Sequence, residues 1–582
     1  MGGGSAGSRV ERSARQTADP PPVARSQWPF ALTVAVAIGL ALLFIGLSIV
    51  GIVRAWDPTP FSDMWDGYLG FWYSLSGGDM GAWWAQHNEH RIVLARLFFW
   101  VDLAFFRGAG WSLIAVNVAC ALAIAGVFIG ALIARLREAR VATDRPAGTA
   151  VLSAVLVGLA VSWLQRENLV WGFQIQFFLA VLIPLAAFLL LASARPSARW
   201  STGRFAGSVA LAVASVGTIA AGLGAPLVAT AQAVALRESR RRIGTMAILA
   251  GVSAAAYVRG YVSPGQTSNP IASLAHPRGV LAYVLRYLGG PIEVSTHSTP
   301  LGEVSAIILL LLIAVSAVLW VRSRDRSRIA AAMLAFAAYV LLWAVITALG
   351  RLNFGSNQAL AGRYSTPVLA LWAAVVVLFA PQILTAQVRH GRLTATALTA
   401  TVLGLLWVQS GVFANFSTVH FARQNAALAI ALGVPDGQRI RAVFPSPELP
   451  IELGAEAMRD GLTNLGQSPY VDLQRQLGVR PTSGPSAPCG GEVTSSTPIA
   501  GSDFARLDGT FTAAAAMTAD NGPFRVLDST GRVVGFAAVQ KAGGHGSPRP
   551  MVAYVRSDLA NGPLRLAGAG FTCASGLEGR LG

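Results

Sequence analysis

The sequence predicts an all-α polytopic membrane domain of about eleven transmembrane helices, followed by a small extracytoplasmic C-terminal domain with β-strands. Three observations lead there. Of 582 residues, 53% are hydrophobic and only 13% charged, with a mean hydropathy of +0.53, too little charge to cover a soluble surface of this size. Apolar stretches of about 17–25 residues recur along the chain, the length that crosses a bilayer. Short clusters of arginine separate alternate stretches, which is the positive-inside pattern.

Residues 1–27 are polar, carry Arg9, Arg12, Arg15 and Arg25, and read as a disordered cytoplasmic N-terminus rather than a cleavable signal. The membrane domain covers 28–414, with apolar runs at 28–53, 111–134, 149–165, 172–193, 205–221, 225–237, 243–262, 302–321, 329–350, 366–388 and 393–413. The 205–237 region reads as one long helix or as two; Gly222, Gly224 and Pro226 favour a tight hairpin. With the N-terminus inside, every predicted cytoplasmic connection is basic: Arg135, Arg137 and Arg140; Arg195, Arg199 and Arg204; Arg237 and Arg240–Arg242; Arg322, Arg324, Arg326 and Arg328; Arg389 and Arg392. The net charge of +17 is thus a topology signal, and nucleic-acid binding is excluded as its explanation. The run Arg91–Phe106 is short and carries Arg91, Arg96 and Asp102. As a span it would invert every later loop, so it reads as an amphipathic interfacial helix. The first outer loop then covers about 55–110 and includes a second short helix near Gly67–Ser76.

The tail, 415–582, is soluble in composition, mixed and then β-rich. PFRVLDSTGRVVGFAAVQ and MVAYVRSDLANGPLRLAGAG alternate short apolar runs with turn residues, suggesting a small sandwich. Pro481–Pro498 reads as a linker or long loop. Three cysteines form no CxxC or Cys/His cluster. Cys489 and Cys573 share the tail, in a compartment that permits a disulfide, and their pairing is left open. Cys120 lies inside a helix.

Ionisable residues at the predicted outer membrane face are costly and therefore informative. The first outer loop holds Asp63 and Asp66 one helical turn apart, then the block His87, Asn88, Glu89, His90 and Arg91. A carboxylate near imidazoles suits a general base or a divalent-cation ligand. The plainer alternative makes Asp63 a helix cap and the tryptophans Trp65, Trp72, Trp83 and Trp84 an interfacial belt. The spacing of His87 and His90 would place both on one helix face. The second outer loop offers Arg166, Glu167, Asn168, Gln174 and Gln176, which suit a polar cavity or bonds between helices. The loop GRLNFGSNQALAGRYSTP places Arg351 and Arg363 on the side normally poor in arginine, with Asn353, Asn357, Gln358 and Tyr364. A guanidinium fork matches phosphate, and snorkelling to lipid headgroups is the alternative. Arg259, Arg278, Arg286 and His276 in the third loop repeat that signal more weakly.

This layout resembles the GT-C class of glycosyltransferases, polytopic enzymes that take sugar from a polyprenyl-phosphate carrier on the outer face. SDMWDGY, just after the first helix, is similar to the acidic first loop of that class, and WDGY to the segment around the catalytic Asp of bacterial oligosaccharyltransferases. Glu167 in QRENLVWGFQ matches the second acid by position. The HNEHR and GRYSTP blocks look like those of bacterial membrane proteins in an uncharacterised subgroup of such enzymes. The tail has no WWD-type signature, and the acidic pair is not the adjacent Asp-Glu of mannosyltransferases. The resemblance implies an inverting transfer at a bacterial plasma membrane, feeding envelope polysaccharide biosynthesis. Asp63 or Asp66 would be the base and Glu167 a second acid. His87–Arg91, Gln174, Arg351, Gln358, Arg363 and Tyr364 would bind substrate. Partners would be the lipid-linked sugar, the bilayer, and a glycan, lipid or protein acceptor. No cofactor is required; a divalent cation, if used, would sit on Asp63 and Glu167. The alternatives are an O-antigen or polysaccharide polymerase or ligase, or a non-enzymatic envelope transporter or scaffold.

Overall fold

The computed structural model describes Gly2 and residues 28–141, 146–195, 200–265, 270–324, 326–482, 484–513, 522–541, 548–568 and 570–578. Arg9, Arg12, Arg15, Arg25 and Arg199 lie outside them. The first helix, α1 (Trp28–Ala55), leads into the short α2 (Phe71–Ser76) and α3 (Val93–Phe106). Next come α4 (Trp111–Glu138), α5 (Pro146–Ala160), α6 (Arg166–Val170), α7 (Ile175–Ser193), α8 (Ser201–Ala214), α9 (Gly224–Ala235) and α10 (Arg240–Val258). Then follow α11 (Pro270–Leu274), α12 (Pro277–Thr296), α13 (Thr299–Arg322), α14 (Arg328–Arg351), α15 (Ser365–Arg389) and α16 (Gly391–Gln409).

Among the described residues, eight segments are long and apolar enough to cross a membrane, those centred on α1, α4, α5, α7, α13, α14, α15 and α16. They coincide with eight of the eleven predicted runs. The other three are α8, α9 and α10, so a count of eleven spans is not established by length and composition. At 14 and 12 residues, α8 and α9 reach only about 21 and 18 Å. They form the hairpin that the glycines favour. A Cβ on Gly222 would stand 1.9 Å from the Ser215 carbonyl oxygen, so the turn admits only glycine there. Of the two juxtamembrane helices, α3 is 14 residues, about 21 Å and too short to span. It exposes Leu97 and Phe105 and buries Ala95, Arg96, Phe99, Asp102 and Leu103.

The helices end alternately in two places. At one end Glu138 bonds Arg195 (2.6 Å) and the Ser327 hydroxyl (2.5 Å). Beside it Glu238 bridges Arg242 (2.8 Å) and Arg328 (2.5 Å). The start of α5 meets the end of α15 on this side, Gly148 against Leu384. At the opposite end Arg54 bonds the Val412 carbonyl (3.1 Å), and Glu89 meets Arg351. The tail packs on that second end, with Ser62 N–H on the Val443 carbonyl (2.7 Å) and Thr463 N–H on that of Arg107 (2.8 Å).

The tail begins with α17 (Ser417–Leu432), α18 (Gly437–Ile440), α19 (Glu448–Asp460) and α20 (Leu473–Gln476). Among the described residues nine strands follow: β1 (Ser486–Ala487), β2 (Cys489–Pro498), β3 (Phe504–Ala513), β4 (Phe524–Leu527), β5 (Val533–Val539), β6 (Arg549–Arg556), β7 (Arg565–Gly568), β8 (Phe571–Cys573) and β9 (Leu577–Glu578). Their order is β1-β8-β7-β4-β5-β6-β3-β2-β9. The chain neighbours β1 and β2, and likewise β8 and β9, stand at opposite ends of that order. The sheet therefore curls until its edges meet, one rolled layer rather than the expected sandwich. Cys489 and Cys573 form a disulfide across the meeting edges, and Cys120 is free and buried. Val493, Phe511, Val526, Val534, Met551 and Leu566 fill the roll. Every residue of β5 is buried, because its other face, with Phe536 and Ala538, joins the helical core. That explains its unbroken apolar run. Asp436 ties helices to sheet, accepting from Arg506 (2.9 Å) and the Tyr554 hydroxyl (2.9 Å).

Pro481–Pro498 is not a linker, since β1 and β2 occupy most of it. Only Cys489 and Val493 of β2 are buried. Its Gly, Ser and Thr residues pair with β3 through the backbone, and so leave little apolar signal in the sequence.

Candidate functional site

At the tail-bearing end the segment between α1 and α4 packs against the turn between α8 and α9. A Cβ on Gly217 would meet Val93 at 3.4 Å, and the Ala220 N–H donates to His90 Nδ1 (3.2 Å). After α1 the chain makes a tight turn, Ser62–Met64, and then a wide one, Trp65–Gly70, before α2. Gly67 is required: a Cβ there would stand 2.8 Å from the rings of His87 and Phe173. His87 is thereby pressed between Asp63 and Asp66, its Nε2 3.9 Å from one carboxylate and its Nδ1 3.9 Å from the other. One ligand atom from each of the three lies within 4.8 Å of the others, a spacing that a cation could bridge. Burial pushes the Asp66 carboxyl up, against the pull of His87 and with the help of Asp63.

His87–His90 is a turn and not a helix. The two residues exchange backbone bonds of 2.8 Å, with Asn88 in the left-handed region at φ 49°. The predicted shared helix face for the two histidines is therefore absent. Local Asn chemistry won over helical spacing. The rings part, His87 to the aspartates and His90 to Ala220 and Glu89, whose carboxylate is 3.7 Å away. Glu89 also carries the ion pair to Arg351. Burial would raise the Glu89 carboxyl, but His90 and Arg351 outweigh it and hold it down at about 2. Burial, opposed by Glu89, lowers His90 to about 4, so it is neutral at physiological pH. Arg91 does not face a cavity. Its guanidinium is bonded to the carbonyls of Tyr257 (3.0 Å), Trp84 (2.6 Å) and Arg259 (2.8 Å), which ties this loop to the end of α10.

Glu167 stands on α6. Glu167 accepts from Arg363 Nη1 (3.2 Å) and from the Arg363 backbone N–H (3.1 Å). A Cβ on Gly362 would stand 2.9 Å from Glu167 Oε2, so glycine permits this approach. Asn168 Nδ2 donates to the Arg363 carbonyl (2.9 Å) and the Thr366 hydroxyl (2.7 Å), and Thr366 in turn donates to Gln165 (2.6 Å). Gln174 is 2% exposed with Oε1 unpartnered among the described residues. Asn117 of α4 donates to the Asn168 carbonyl (2.8 Å). The Arg363 guanidinium lies over the Tyr364 ring (5.3 Å), which stacks obliquely on Tyr287 (4.9 Å). Gln358 sits half-buried in the Ser356–Leu360 turn, which Arg286 braces through Ser356 (2.9 Å) and Asn357 (2.6 Å).

These parts form one electrostatic neighbourhood. His90 feels Glu89, Arg351, His87 and Asp63, while Arg351 feels Tyr364 and Arg363. Asp63 and Glu167 do not share a set of cation-spaced groups among the described residues; Asp63 stands with Asp66 and His87 instead. Sequence reasoning missed Asn117, Gln165, Thr366 and Tyr287. Asn117 was detectable as a lone amide in an apolar helix. Tyr287 was not, because an aromatic in a membrane helix is ordinary. Neither a family model nor a curated protein matches the chain.

Proposed function

We propose that the chain is an inverting membrane glycosyltransferase, moving a sugar from a polyprenyl-phosphate carrier to a hydroxyl of an envelope glycan, lipid or protein. The observation that carries this reading is the meeting, at one end of the bundle, of a carboxylate pair on a histidine with two arginines held by their own glutamates. The carboxylate takes the acceptor hydroxyl proton and the oxygen attacks the anomeric carbon. The bond to the carrier phosphate breaks, and its electron pair leaves with the phosphate. Burial raises the Asp66 carboxyl, which suits it to accept a proton. Arg351 and Arg363 stabilise the departing phosphate, as preorganised guanidiniums do. The carrier's phosphate would meet Arg351 and Arg363 at this end while its tail stays in lipid. A divalent cation is not required, and Asp63, Asp66 and His87 would hold one.

The same reading sets the topology. The first helix starts at the arginine-rich end and α16 finishes at the tail end, which takes an odd number of crossings. Eight alone would not do this; α8, α9 and α10 bring the number to eleven. The arginine-rich end is then cytoplasmic and the tail extracytoplasmic, in a bacterial plasma membrane.

The test is sugar transfer in membranes from polyprenyl-phosphate donors. Asp66→Asn and Asp63→Asn should leave protein levels unchanged, and at least one should lower transfer by about 100-fold or more, the usual worth of a general base. Full activity in both would sink the assignment. A phosphatase fusion after residue 415 that is inactive would place the tail in the cytoplasm and overturn the topology.

A further inference from the structure

The tail holds a cavity that the proposed sugar transfer leaves unused. It lies on the outside of the rolled sheet, over β4 and β7 and under the segment before β1, and encloses about 390 Å³. That is the size of small-molecule sites, about 300–1,000 Å³. Register sets Leu527 opposite Arg565 and Arg525 opposite Ala567. Side chains alternate along a strand, so these four share one face, while Val526 and Leu566 between them fill the roll. Two guanidiniums thus border the same cavity. Arg525 is oriented by its Nε on Gln476 Oε1 (2.8 Å). Arg565 is exposed.

Asp528 completes the lining, and it is 3% exposed. Its Oδ1 accepts from Thr530 N–H (2.9 Å), the Thr530 hydroxyl (2.8 Å) and Arg532 N–H (2.9 Å). Its Oδ2 is buried with no hydrogen-bond partner among the described residues. Three donors on one oxygen keep the group ionised, and a buried carboxylate oxygen left bare is expensive. The opposite wall is backbone packed on backbone: a Cβ on Gly484 would stand 2.5 Å from the Gly570 carbonyl. Ser486 and Thr572 add hydroxyls at the rim, and Phe571 an aromatic face.

Two cations beside one bare acceptor specify a ligand with an anionic group and neighbouring hydroxyls. A metal ion would be repelled by the arginines, and a neutral sugar would leave both unmatched. We propose that this cavity binds an acidic sugar, one bearing a carboxylate or a phosphate. The anion would sit between Arg525 and Arg565, and a hydroxyl would donate to Asp528 Oδ2. This proposal stands apart from the transfer reading, because the tail could hold such a glycan whatever the membrane domain does.

The experiment uses the full chain in detergent with D-glucuronate, glucose 6-phosphate and glucose as probes in titration calorimetry. At least one anionic probe should bind saturably and about ten-fold or more tighter than glucose, the worth of a charged hydrogen-bond pair. Arg565→Gln removes an exposed side chain that carries no described fold contact, and should weaken that binding by about ten-fold or more. Binding of glucuronate alone marks a carboxylate ligand, and of glucose 6-phosphate alone a phosphate one. No saturable binding of either, glucose as tight as both, or unchanged affinity in Arg565→Gln would overturn the site. Asp528→Asn should weaken the sugar but not inorganic phosphate; equal loss for both would remove the hydroxyl contact from the proposal.

Discussion

The two ends of the bundle use the same residue types in opposite ways. At the arginine-rich end the charges around Glu238 are saturated. Arg328 is bonded to Glu238 and to the Ala192 carbonyl (2.7 Å). Arg242 is bonded to Glu238, the Ala194 carbonyl (2.8 Å) and Ser201 (2.8 Å). These contacts staple α7, α8, α10 and α14 together. At the tail-bearing end Arg351 and Arg363 have their glutamates, but the group Asp63, Asp66 and His87 meets without being saturated. His87 stands 3.9 Å from each aspartate, outside hydrogen-bond range, and Asp66 is 45% exposed. A charge whose every partner is supplied by the protein holds architecture. One whose partners are left short has capacity for a substrate, at a cost in stability. Mutations should therefore split, stability responding at one end and activity at the other.

The largest stability effect is expected at the saturated end. Glu238 is 8% exposed and bridges two arginines. Glu238→Gln leaves two half-buried guanidiniums short of their counter-charge, a loss of up to about 3 kcal/mol, the low end for breaking a buried pair. Folded yield and thermal stability in detergent should fall, while transfer per folded molecule stays near wild type. A folded, stable Glu238→Gln chain with impaired transfer would erase the distinction between the ends.

A smaller effect, with a pH signature, is expected at His90. Its folded pKa is lowered from 6.5 to about 4. Between those values the unfolded chain binds the extra proton and the native one does not, so stability rises with pH across that window. The contribution is fully present above about 6.5 and is lost as pH falls towards 4, with a ceiling of order 3 kcal/mol. Glu89, depressed to about 2 from 4.5, adds a loss only below about pH 4.5 and so does not blur the result. In His90→Gln the fall in melting temperature between pH 6.5 and 4.5 should flatten. An unchanged slope would mean that His90 is not held neutral by its burial beside Ala220.

The sequence carried the coarse layout because lipid imposes it. Apolar length and arginine placement are one-dimensional signals, and eight long helices, the hairpin turn at Gly222 and the short α3 follow from them. The candidate residues were legible as types out of place: Asp63, Asp66, Glu89, Glu167, Arg351 and Arg363 all stand at one end. Their partnerships were not. Glu89 with Arg351 and Glu167 with Arg363 pair across 262 and 196 positions, separations about which local pattern says nothing. His87 and His90 were misread because helical spacing ignores an Asn-centred turn. β2 was missed because it is held by backbone bonds and buries two side chains.

The smallest expected effect tests how finely the unsaturated end is set. Gly67 carries no charge and touches no substrate in the proposed reaction, yet a Cβ there would stand 2.8 Å from His87 Cε1 and from Phe173. Phe173 is fully buried and stacks on Phe99 (5.1 Å), so it yields only at a cost in packing, and the His87 ring must also move off the aspartates. Gly67→Ala should lower the melting temperature, since the Cβ crowds two buried rings, and should lower transfer per folded molecule by about ten-fold, or roughly 1.4 kcal/mol. A loss in kcat with KM unchanged would mark His87 as a positioning residue for the carboxylate pair. Unaltered transfer, with the ring shown to have shifted, would mean that the aspartates act without it.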